Sequence, residues 1–290
     1  MANKITFNQN STDNHHYRNL KKQIDHVVKE LPKSRIGIKI GVTWFFIVLY
    51  FTTYGFALIN IENTGLYYAL FAMLGVLVVF IFLNIIHDAV HNHVFKNKRY
   101  NNILLVVFDL IGANSYIWKN RHIHLHHNFQ NVVGWDSDIE QSGLIKIFPY
   151  GEATWINKYQ HWLIFIFYPL YLFNWVFIRD FKDFFLKNRM LKKVVEKIPI
   201  EEYLKLFFFK LLFIFYIVIL PILLGQSIFV AITSLCLMLV VGGVLALIIL
   251  LTPHANIKNE FPLPSDEGKV NVSWFQHQFI STNDINLNSY

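Results

Sequence analysis

The chain has 290 residues, of which 54% are hydrophobic and 17% aromatic, and its mean hydropathy is +0.37. This composition is too apolar for an ordinary soluble domain of the same length, so it predicts a membrane protein with several spans. The formal net charge of +7 requires no nucleic-acid partner, because the cations lie where a membrane topology signal would place them.

Residues 1–36 predict an amphipathic arm on the cytoplasmic surface. Ser11, Thr12 and Asp13 are typical N-cap residues of a helix that Pro32 would end. One face of this helix is apolar and consists of Leu20, Ile24, Val27, Val28 and Leu31. The arm shows no secretory signal pattern, and we expect it to remain inside the cell.

Four apolar stretches approach the length that a helix needs to cross a hydrocarbon core about 30 Å thick. They are Ile40–Ile61, Gly65–Ile86, Leu206–Gly225 and Ile228–Pro253. Lys210 is the only charged residue in them, and near the start of a span a lysine can extend to the lipid head groups.

The distribution of the 26 Lys and Arg residues predicts the orientation of these spans. Eight precede the first span and 15 lie between Asp88 and Lys205, whereas the short loops Glu62–Thr64 and Gln226–Ser227 carry none. Cations are enriched on the cytoplasmic side of membrane proteins, so we expect both termini and the long middle segment to face the cytoplasm. The same cations can hold this part of the protein against anionic lipid.

Two shorter apolar runs are interpreted as interfacial helices. Ile103–Ala113 is eleven residues long and contains Asp109. Trp162–Ile178 has seventeen uncharged residues, but it carries Pro169 and many aromatic residues that are typical of a membrane interface. A fifth span is the alternative for this run. The sequence therefore predicts an all-α integral membrane protein with four transmembrane helices, a cytoplasmic helical cap and interfacial helices.

Six histidines lie at the ends of predicted spans or in the segment between them. They are His87, His91, His122, His126, His127 and His254. On a continuous α-helix His87 and His91 share a face, His122 and His126 share another, and His127 lies about 100° around from His126. Three separate segments thus bring imidazoles to one level, and we expect a metal site there.

The remaining histidines are weaker candidates for this site. His93 and His124 point away from the chosen faces if their segments are helical, so they are secondary candidates as ligands. We expect ordinary surface roles for His15, His16, His26 and His161. His277, near the end of the chain, fits either class.

The ligand types restrict the metal. Imidazole suits Zn, Cu, Fe and Ni. Cys236 is the only cysteine and lies within the last predicted span, so neither a thiolate site nor a disulfide framework is expected. The sequence contains neither His-Glu-x-x-His nor Glu-x-x-His, which excludes the zincin and the carboxylate-bridged di-iron patterns. An all-histidine site remains.

Taken together, these motifs resemble the membrane fatty acid desaturase family, in particular its bacterial front-end or linoleoyl-CoA-like branch. The similarity is carried by His87-Asp88-Ala89-Val90-His91, by Trp118 with His122-x-x-x-His126-His127-x-x-x-Asn131, and by Gly134-Trp135-Asp136-Ser137-Asp138-Ile139. Three later motifs resemble the segment after the last span of that family: His254-Ala255-Asn256, Glu260-Phe261-Pro262, and Trp274-x-x-His277-Gln278 with Ser281-Thr282.

The resemblance implies a di-iron enzyme that uses O2 to introduce a double bond into a long acyl chain. It implies that the six histidines bind two iron ions and that Asp88, Asn131, Asp136 and Asp138 orient imidazoles or have structural roles. An acyl-CoA or acyl-lipid would be the substrate, in a bacterial cytoplasmic membrane. No His-Pro-Gly-Gly signature of a fused cytochrome is present, so a separate ferredoxin or cytochrome would donate the electrons.

The sequence also departs from the family pattern. Desaturases of this type carry a third box, His or Gln followed by x-x-His-His, after the segment that resembles Trp274–Thr282, and the given sequence reaches Tyr290 without one. We therefore expect residues 37–290 to form a desaturase domain that is incomplete at its C-terminus. Two alternatives remain open: a related histidine-box hydroxylase or ketolase, and an inactive truncated protein that keeps the scaffold.

Overall fold

The computed structural model describes residues 5–30, 34–251, 256 and 258–282. Helices make up most of this part of the chain, and its only strands form one parallel pair. His254, one of the six predicted ligands, lies outside the described residues. In chain order the elements are β1 (Thr6–Asn8), α1 (Ser11–Glu30), α2 (Ser34–Ile59), α3 (Thr64–Val90), α4 (Lys98–Leu110), α5 (Ser115–Asn120), α6 (Trp155–Phe167), α7 (Tyr171–Phe173, Asn174–Arg179 and Asp180–Phe185 in succession), α8 (Ile200–Leu223), α9 (Ile228–Leu251), β2 (Lys269–Ser273) and α10 (Trp274–Ile280).

Four of these helices are long and apolar enough to cross a membrane, which confirms the predicted fold class. The crossing segments are Gly37–Ile59, Thr64–Val90, Ile200–Leu223 and Ile228–Leu251. The two short loops between paired spans lie at the same end of the bundle, because the side-chain Nε2 of Gln226 donates to the carbonyl of Ile61 at 2.8 Å. His87 therefore lies at the opposite end, where α3 finishes.

The aromatic run predicted as one interfacial helix is broken in two. Helix α6 ends at Phe167, the next helix begins at Tyr171, and the two axes differ by 78°. Pro169 lies in the break, and proline has no backbone N–H to continue a helical ladder. The run is thus neither a single interfacial helix nor a single straight span.

Lys210 was expected to extend to the head groups, and this prediction was wrong. Its side chain is buried, and its Nζ donates to Asp180 Oδ2 at 2.7 Å and to the carbonyls of Gly112 and Val176 at 2.6 Å. An ammonium in an apolar interior is stable only when it is paired and hydrogen-bonded in this way. The interaction ties α8 to α7 and to the turn after α4.

The charged residue Asp109 has a structural role within the apolar run Ile103–Ala113. It is buried near the end of α4, where it accepts hydrogen bonds from the backbone N and Oγ of Ser115 and pairs with Lys205 Nζ at 3.0 Å. At thirteen residues α4 is too short to span the membrane, and its buried Asp109 connects it to α5 and α8.

The two-stranded sheet was not predicted. β1 pairs in parallel with β2, Asp13 accepts a hydrogen bond from the hydroxyl of Ser273, and Tyr17 packs edge-to-face on Trp274. These contacts attach α1 to the segment that follows the last span. The apolar side chains on α1 are exposed to the surroundings.

Helices α3 and α9 cross at a site where only small residues fit. A Cβ atom added to Gly75 would lie 2.2 Å from the carbonyl oxygen of Met238, and one added to Gly242 would lie 2.8 Å from the carbonyl oxygen of Gly75. Small residues allow membrane helices to approach closely and gain packing contacts. This crossing positions α3, which carries His87.

We expect Gly75→Ala to destabilise the protein by about 1–3 kcal/mol, because the added methyl group must push α3 away from α9. The measurement is the thermal unfolding midpoint of the detergent-solubilised protein, followed by circular dichroism. Gly55→Ala is the matched control, since a Cβ there meets no atom within 4 Å. Equal midpoints for the two variants would show that the crossing is not tightly packed.

Candidate metal centre

The first histidine pair lies at the end of α3, just after a local widening of that helix. Residues Phe82–Ile86 form a π-helical turn, in which the backbone N–H of His87 donates to the carbonyl of Phe82, five residues earlier. The rings of His87 and His91 are 5.0 Å apart between centroids. This agrees with the expectation that the two imidazoles share a face.

The second histidine cluster also lies on a π-helical turn, which differs from the α-helix assumed from the sequence. Residues Arg121–His126 form this turn, and the backbone N–H of His127 donates to the carbonyl of His122 at 3.0 Å. Five-residue spacing brings His127 beside His122, with 3.0 Å between their Nε2 atoms. His126 remains stacked on His122 at a centroid distance of 5.5 Å.

Three imidazole nitrogens from the two clusters converge on one point. His91 Nε2 lies 3.2 Å from His122 Nε2 and 3.1 Å from His127 Nε2, and the last two atoms are 3.0 Å apart. A ring nitrogen carries either a proton or a lone pair, so three mutual contacts cannot all be hydrogen bonds. Three nitrogens that bind one ion at about 2.1 Å and at right angles lie roughly 3.0 Å apart. The spacing therefore fits a shared metal ion.

Two overlapping groups of ligand atoms surround this point. His87 joins His91, His122 and His127 in a set whose ligand atoms all lie within 4.8 Å of one another. A second set of the same compactness contains His122, His126 and Asp138. From the sequence Asp138 was expected only to orient an imidazole. In the structure its carboxylate is also placed as a possible ligand, and its Oδ2 lies 3.7 Å from Nδ1 of His126.

Asp136 fixes the orientation of the His126 ring through a contact with its Nδ1. The carboxylate is fully buried, and its Oδ1 lies 3.0 Å from His126 Nδ1. It also accepts the backbone N–H groups of Asn131 and Asp138, each at 2.8 Å. With Nδ1 bonded to Asp136, the Nε2 of His126 is the nitrogen left for a metal ion.

Asn131 connects this turn to the C-terminal segment. Its backbone has φ of +57°, a conformation that asparagine tolerates better than most residues, and its Nδ2 donates to the carbonyl of Ser281 at 2.8 Å. His277, in the same segment, is buried and has its Nε2 2.8 Å from the carbonyl oxygen of Gln130. Both residues thus support the turn that carries Asp136.

The local electrostatics prepare most of the cluster for a cation. Burial lowers the pKa of His122 to about 2 and that of His127 to about 4, so both are neutral at pH 7, the form that binds metal. Burial also disfavours the charged form of His126, but Asp138 and Asp136 outweigh it and raise the pKa of His126 to about 9. His126 must therefore release a proton when its Nε2 binds a metal ion.

Three other residues that the sequence named as site candidates lie at the edge of the histidine cluster. Asp88 pairs with Lys39 Nζ at 2.6 Å and has its second oxygen 3.7 Å from His87 Nδ1, so it links α2 to α3 beside the cluster. His93 is exposed and stacks on His91 at 5.6 Å between centroids. His124 is exposed and belongs to neither ligand set.

Two residues beside the second histidine cluster have structural roles that the sequence did not reveal. The ring of Trp118 stacks on His122 at 4.6 Å and 17°, which fixes the imidazole plane. Arg121 is buried and bonds to Asp183 at 2.8 Å and to the carbonyl of Ser137 at 2.9 Å. Trp118 belongs to the motif that resembles the family, whereas the only sequence signal for Arg121 was its adjacency to the second histidine cluster.

A cavity of about 790 Å³ opens beside the histidines. His87, His122 and His126 line one part of it, together with Trp118. The end of α9 and the turn between α6 and α7 supply apolar and aromatic walls, formed by Leu247, Ile249, Leu250, Leu251, Phe167, Tyr168 and Tyr171. A long apolar ligand can therefore lie against the metal-binding side chains.

Comparisons with known proteins agree with this geometry. The model of the fatty acid desaturase family matches residues 63–290. An sn-1 linoleoyl-lipid 6-desaturase of Arthrospira platensis is 29% identical over 71% of the chain and 55% of its own length. An sn-1 linoleoyl-lipid 6-desaturase of Synechocystis sp. is 27% identical over 90% of the chain and 71% of its own length.

A third relative is also named as an acyl-lipid desaturase. An acyl-lipid (8-3)-desaturase of Physcomitrium patens is 29% identical over 72% of the chain and 44% of its own length. The chain thus spans about half to seven tenths of these relatives. No solved structure matches it. Because the family model covers most of the sequence, including both histidine clusters, the chain belongs to the fatty acid desaturase family.

Proposed function

We propose that this protein is an O2-dependent di-iron desaturase that introduces a double bond into the acyl chain of a lipid. The observation that carries the proposal is the convergence of the Nε2 atoms of His91, His122 and His127 within 3.2 Å, beside a cavity with apolar walls. The relatives named as linoleoyl-lipid desaturases support the choice of substrate.

The donor set fits iron. Imidazole nitrogens suit a borderline metal such as Fe(II), and the two overlapping sets of ligand atoms provide for two neighbouring ions. His87, His91, His122, His126 and His127 would hold them, and His254 is proposed as a further ligand from the sequence. When bound, the iron pair would supply the oxidising power to remove two hydrogens from the acyl chain. These two hydrogen atoms, O2, two electrons and two protons together become two molecules of water.

Residues of the protein would orient the metal-binding imidazoles and shield the hydrocarbon from water. Trp118 and Asp136 fix the planes of His122 and His126, so the ligand nitrogens need little reorganisation. The apolar end of α9 and the aromatic residues of α6 and α7 bind the hydrocarbon and keep water from it. Specific placement of one pair of methylenes then follows from the shape of the cavity.

The cellular setting is also part of the proposal. The cation-rich end of the bundle, which carries the histidines, would face the cytoplasm of a bacterial cell. A separate ferredoxin or cytochrome would deliver electrons there, attracted by the excess of basic residues.

We expect cells that express the chain and are supplied with linoleate to accumulate a fatty acid two hydrogens lighter, with one additional double bond. Gas chromatography coupled to mass spectrometry of the lipid-bound acyl chains makes the measurement. Cells with the empty vector are the control. A hydroxylated or keto product would replace the desaturase assignment with a related oxygenase.

We expect His127→Ala to lower Fe(II) affinity at least about 100-fold, because it removes one of three converging nitrogens. Iron per protein after anaerobic reconstitution, determined by elemental analysis, is the readout. His124→Ala is the matched control, since His124 is exposed and outside both ligand sets. Equal iron retention by the two variants would contradict the assigned centre.

Asp136→Asn should weaken Fe(II) binding about 10- to 100-fold, since the neutral amide no longer fixes the Nδ1 proton of His126. The thermal unfolding midpoint is measured in parallel to separate this effect from misfolding. Asp266→Asn, at an exposed turn, is expected to leave iron affinity unchanged. The orienting role of Asp136 is excluded if its variant binds iron as tightly as the parent protein.

A further inference from the structure

A small apolar cluster joins three distant parts of the chain next to the second histidine cluster. It combines strand β1, strand β2 and the segment that follows His127. Its buried members are Ile5, Val132 and Val270, and packed against them are Phe7, Phe129, Trp135 and Val272. Two strands as short as β1 and β2 have little stability of their own, so burial of these side chains is what holds β1 on the protein.

The pairing of the strands sets the direction of the Phe7 side chain. Phe7 lies opposite Val270 in the parallel pair, and the backbone N–H of Thr6 donates to the carbonyl of Gly268 at 2.9 Å. Successive side chains of a strand point to opposite faces. Accordingly, Thr6 and Asn8 are exposed, whereas Phe7 is half-buried and faces the protein.

The ring of Phe7 contacts two side chains that belong to, or support, the turn formed by residues 129–136. It stacks on Phe129 with 6.2 Å between ring centroids and 13° between ring planes. Its centroid also lies 5.0 Å from that of His277 on α10. Phe129 packs in turn against Trp135 at 5.3 Å, near the other end of the turn. Phe7 therefore touches both the turn and the C-terminal segment behind it.

The packing of Phe7 matters for the orientation of His277. The Nε2 of His277 donates to the carbonyl of Gln130 at 2.8 Å, whereas its Nδ1 is buried and has no hydrogen-bond partner among the described residues. One hydrogen bond does not fix the plane of an imidazole ring. The aromatic contact with Phe7 supplies a second constraint, so it also stabilises the hydrogen bond to Gln130.

Backbone hydrogen bonds connect Phe129 to Asp136 within the turn. The N–H of Val132 donates to the carbonyl of Phe129, and the N–H of Asp136 donates to the carbonyl of Val132, each at 2.9 Å. The carboxylate of Asp136 then accepts the N–H of Asn131 and lies 3.0 Å from Nδ1 of His126. A shift of Phe129 or Val132 therefore displaces the carboxylate that orients His126.

We propose that Phe7 is a positioning residue for His126: by packing on Phe129 and His277, it holds the turn that places Asp136. This inference rests on the metal centre of the proposed function and gives strand β1 a role in it. The ligand set that does not depend on Asp136 consists of His87, His91, His122 and His127. The effect of Phe7 is therefore confined to the ion bound by the set of His122, His126 and Asp138.

Binding of Co(II) to the metal-free, detergent-solubilised protein tests the proposal without requiring turnover. Imidazole binds Co(II) as it binds Fe(II), and the visible absorption of Co(II) reports the geometry around each ion. We expect Phe7→Ala to weaken one of the two ions about tenfold, at the lower end of the effect of residues that orient a ligand, and to leave the other unchanged. Thr6→Ala is the matched control, because Thr6 is the exposed neighbour on the same strand, and it should bind both ions like the parent protein.

A double-mutant cycle separates positioning through Asp136 from a general loss of stability. In the Asp136→Asn background, Phe7→Ala should weaken Co(II) binding no further, because the carboxylate that Phe7 positions is no longer present. Should Phe7→Ala fail to fold, Phe7→Leu provides the test, since leucine keeps the cluster apolar but cannot stack on Phe129 or His277. We expect Phe7→Leu to weaken the same ion by a smaller factor.

Hydrogen exchange of the metal-free protein gives a readout that does not depend on the metal centre. Measured by mass spectrometry, the backbone amides of residues 131–138 should exchange faster in Phe7→Ala than in the parent protein or in Thr6→Ala. A parent protein that binds no metal ion, but whose turn exchanges faster in Phe7→Ala, would refute the proposed metal centre and retain the hold of Phe7 on Asp136.

Three outcomes would overturn the positioning role of Phe7. The first is equal exchange of residues 131–138 in Phe7→Ala and the parent protein. The second is equal weakening of both Co(II) ions, which a general loss of stability would produce. The third is full additivity of Phe7→Ala and Asp136→Asn, which would show that Phe7 does not act through the carboxylate.

Discussion

The candidate site depends on three imidazole nitrogens held closer together than hydrogen bonding alone can explain. His91, His122 and His127 lie in mutual contact, and at most two of the three contacts can be hydrogen bonds. Burial keeps His122 and His127 neutral, so they repel no incoming cation. Such a cluster persists only because the surrounding structure holds each ring: π-helical turns set the spacing, Trp118 stacks on one ring, and Asp136 supports the neighbouring His126.

Ion pairs in the apolar interior of the protein join the helices that support the histidine cluster. Membrane-embedded polar groups must be satisfied within the protein, since lipid offers no hydrogen bonds. The pairs Lys210 with Asp180 and Arg121 with Asp183 meet this requirement and join helices α5, α7 and α8 into one platform.

The sequence predicted correctly those features that depend only on residues close together in the chain. Span lengths follow from hydropathy alone, and the four predicted stretches agree with the four helices within a few residues at most ends. It failed where a residue's surroundings decide its role. Lys210 looked like a lysine near a membrane surface, but its partner Asp180 is thirty residues away. The pairing of β1 with β2 joins segments more than 250 residues apart and too short to carry a strand signal of their own.

By itself, then, the sequence determined an all-α membrane protein, the number of its spans, and the gathering of histidines toward one end, because each depends on composition and order along the chain. Tertiary structure decided which nitrogens meet. A π-helical turn adds one residue between hydrogen-bonded partners, which places His127 beside His122. No residue pattern specifies that turn, since it is stabilised by the packing of Trp118 and the bonds of Arg121 and Asp136 around it.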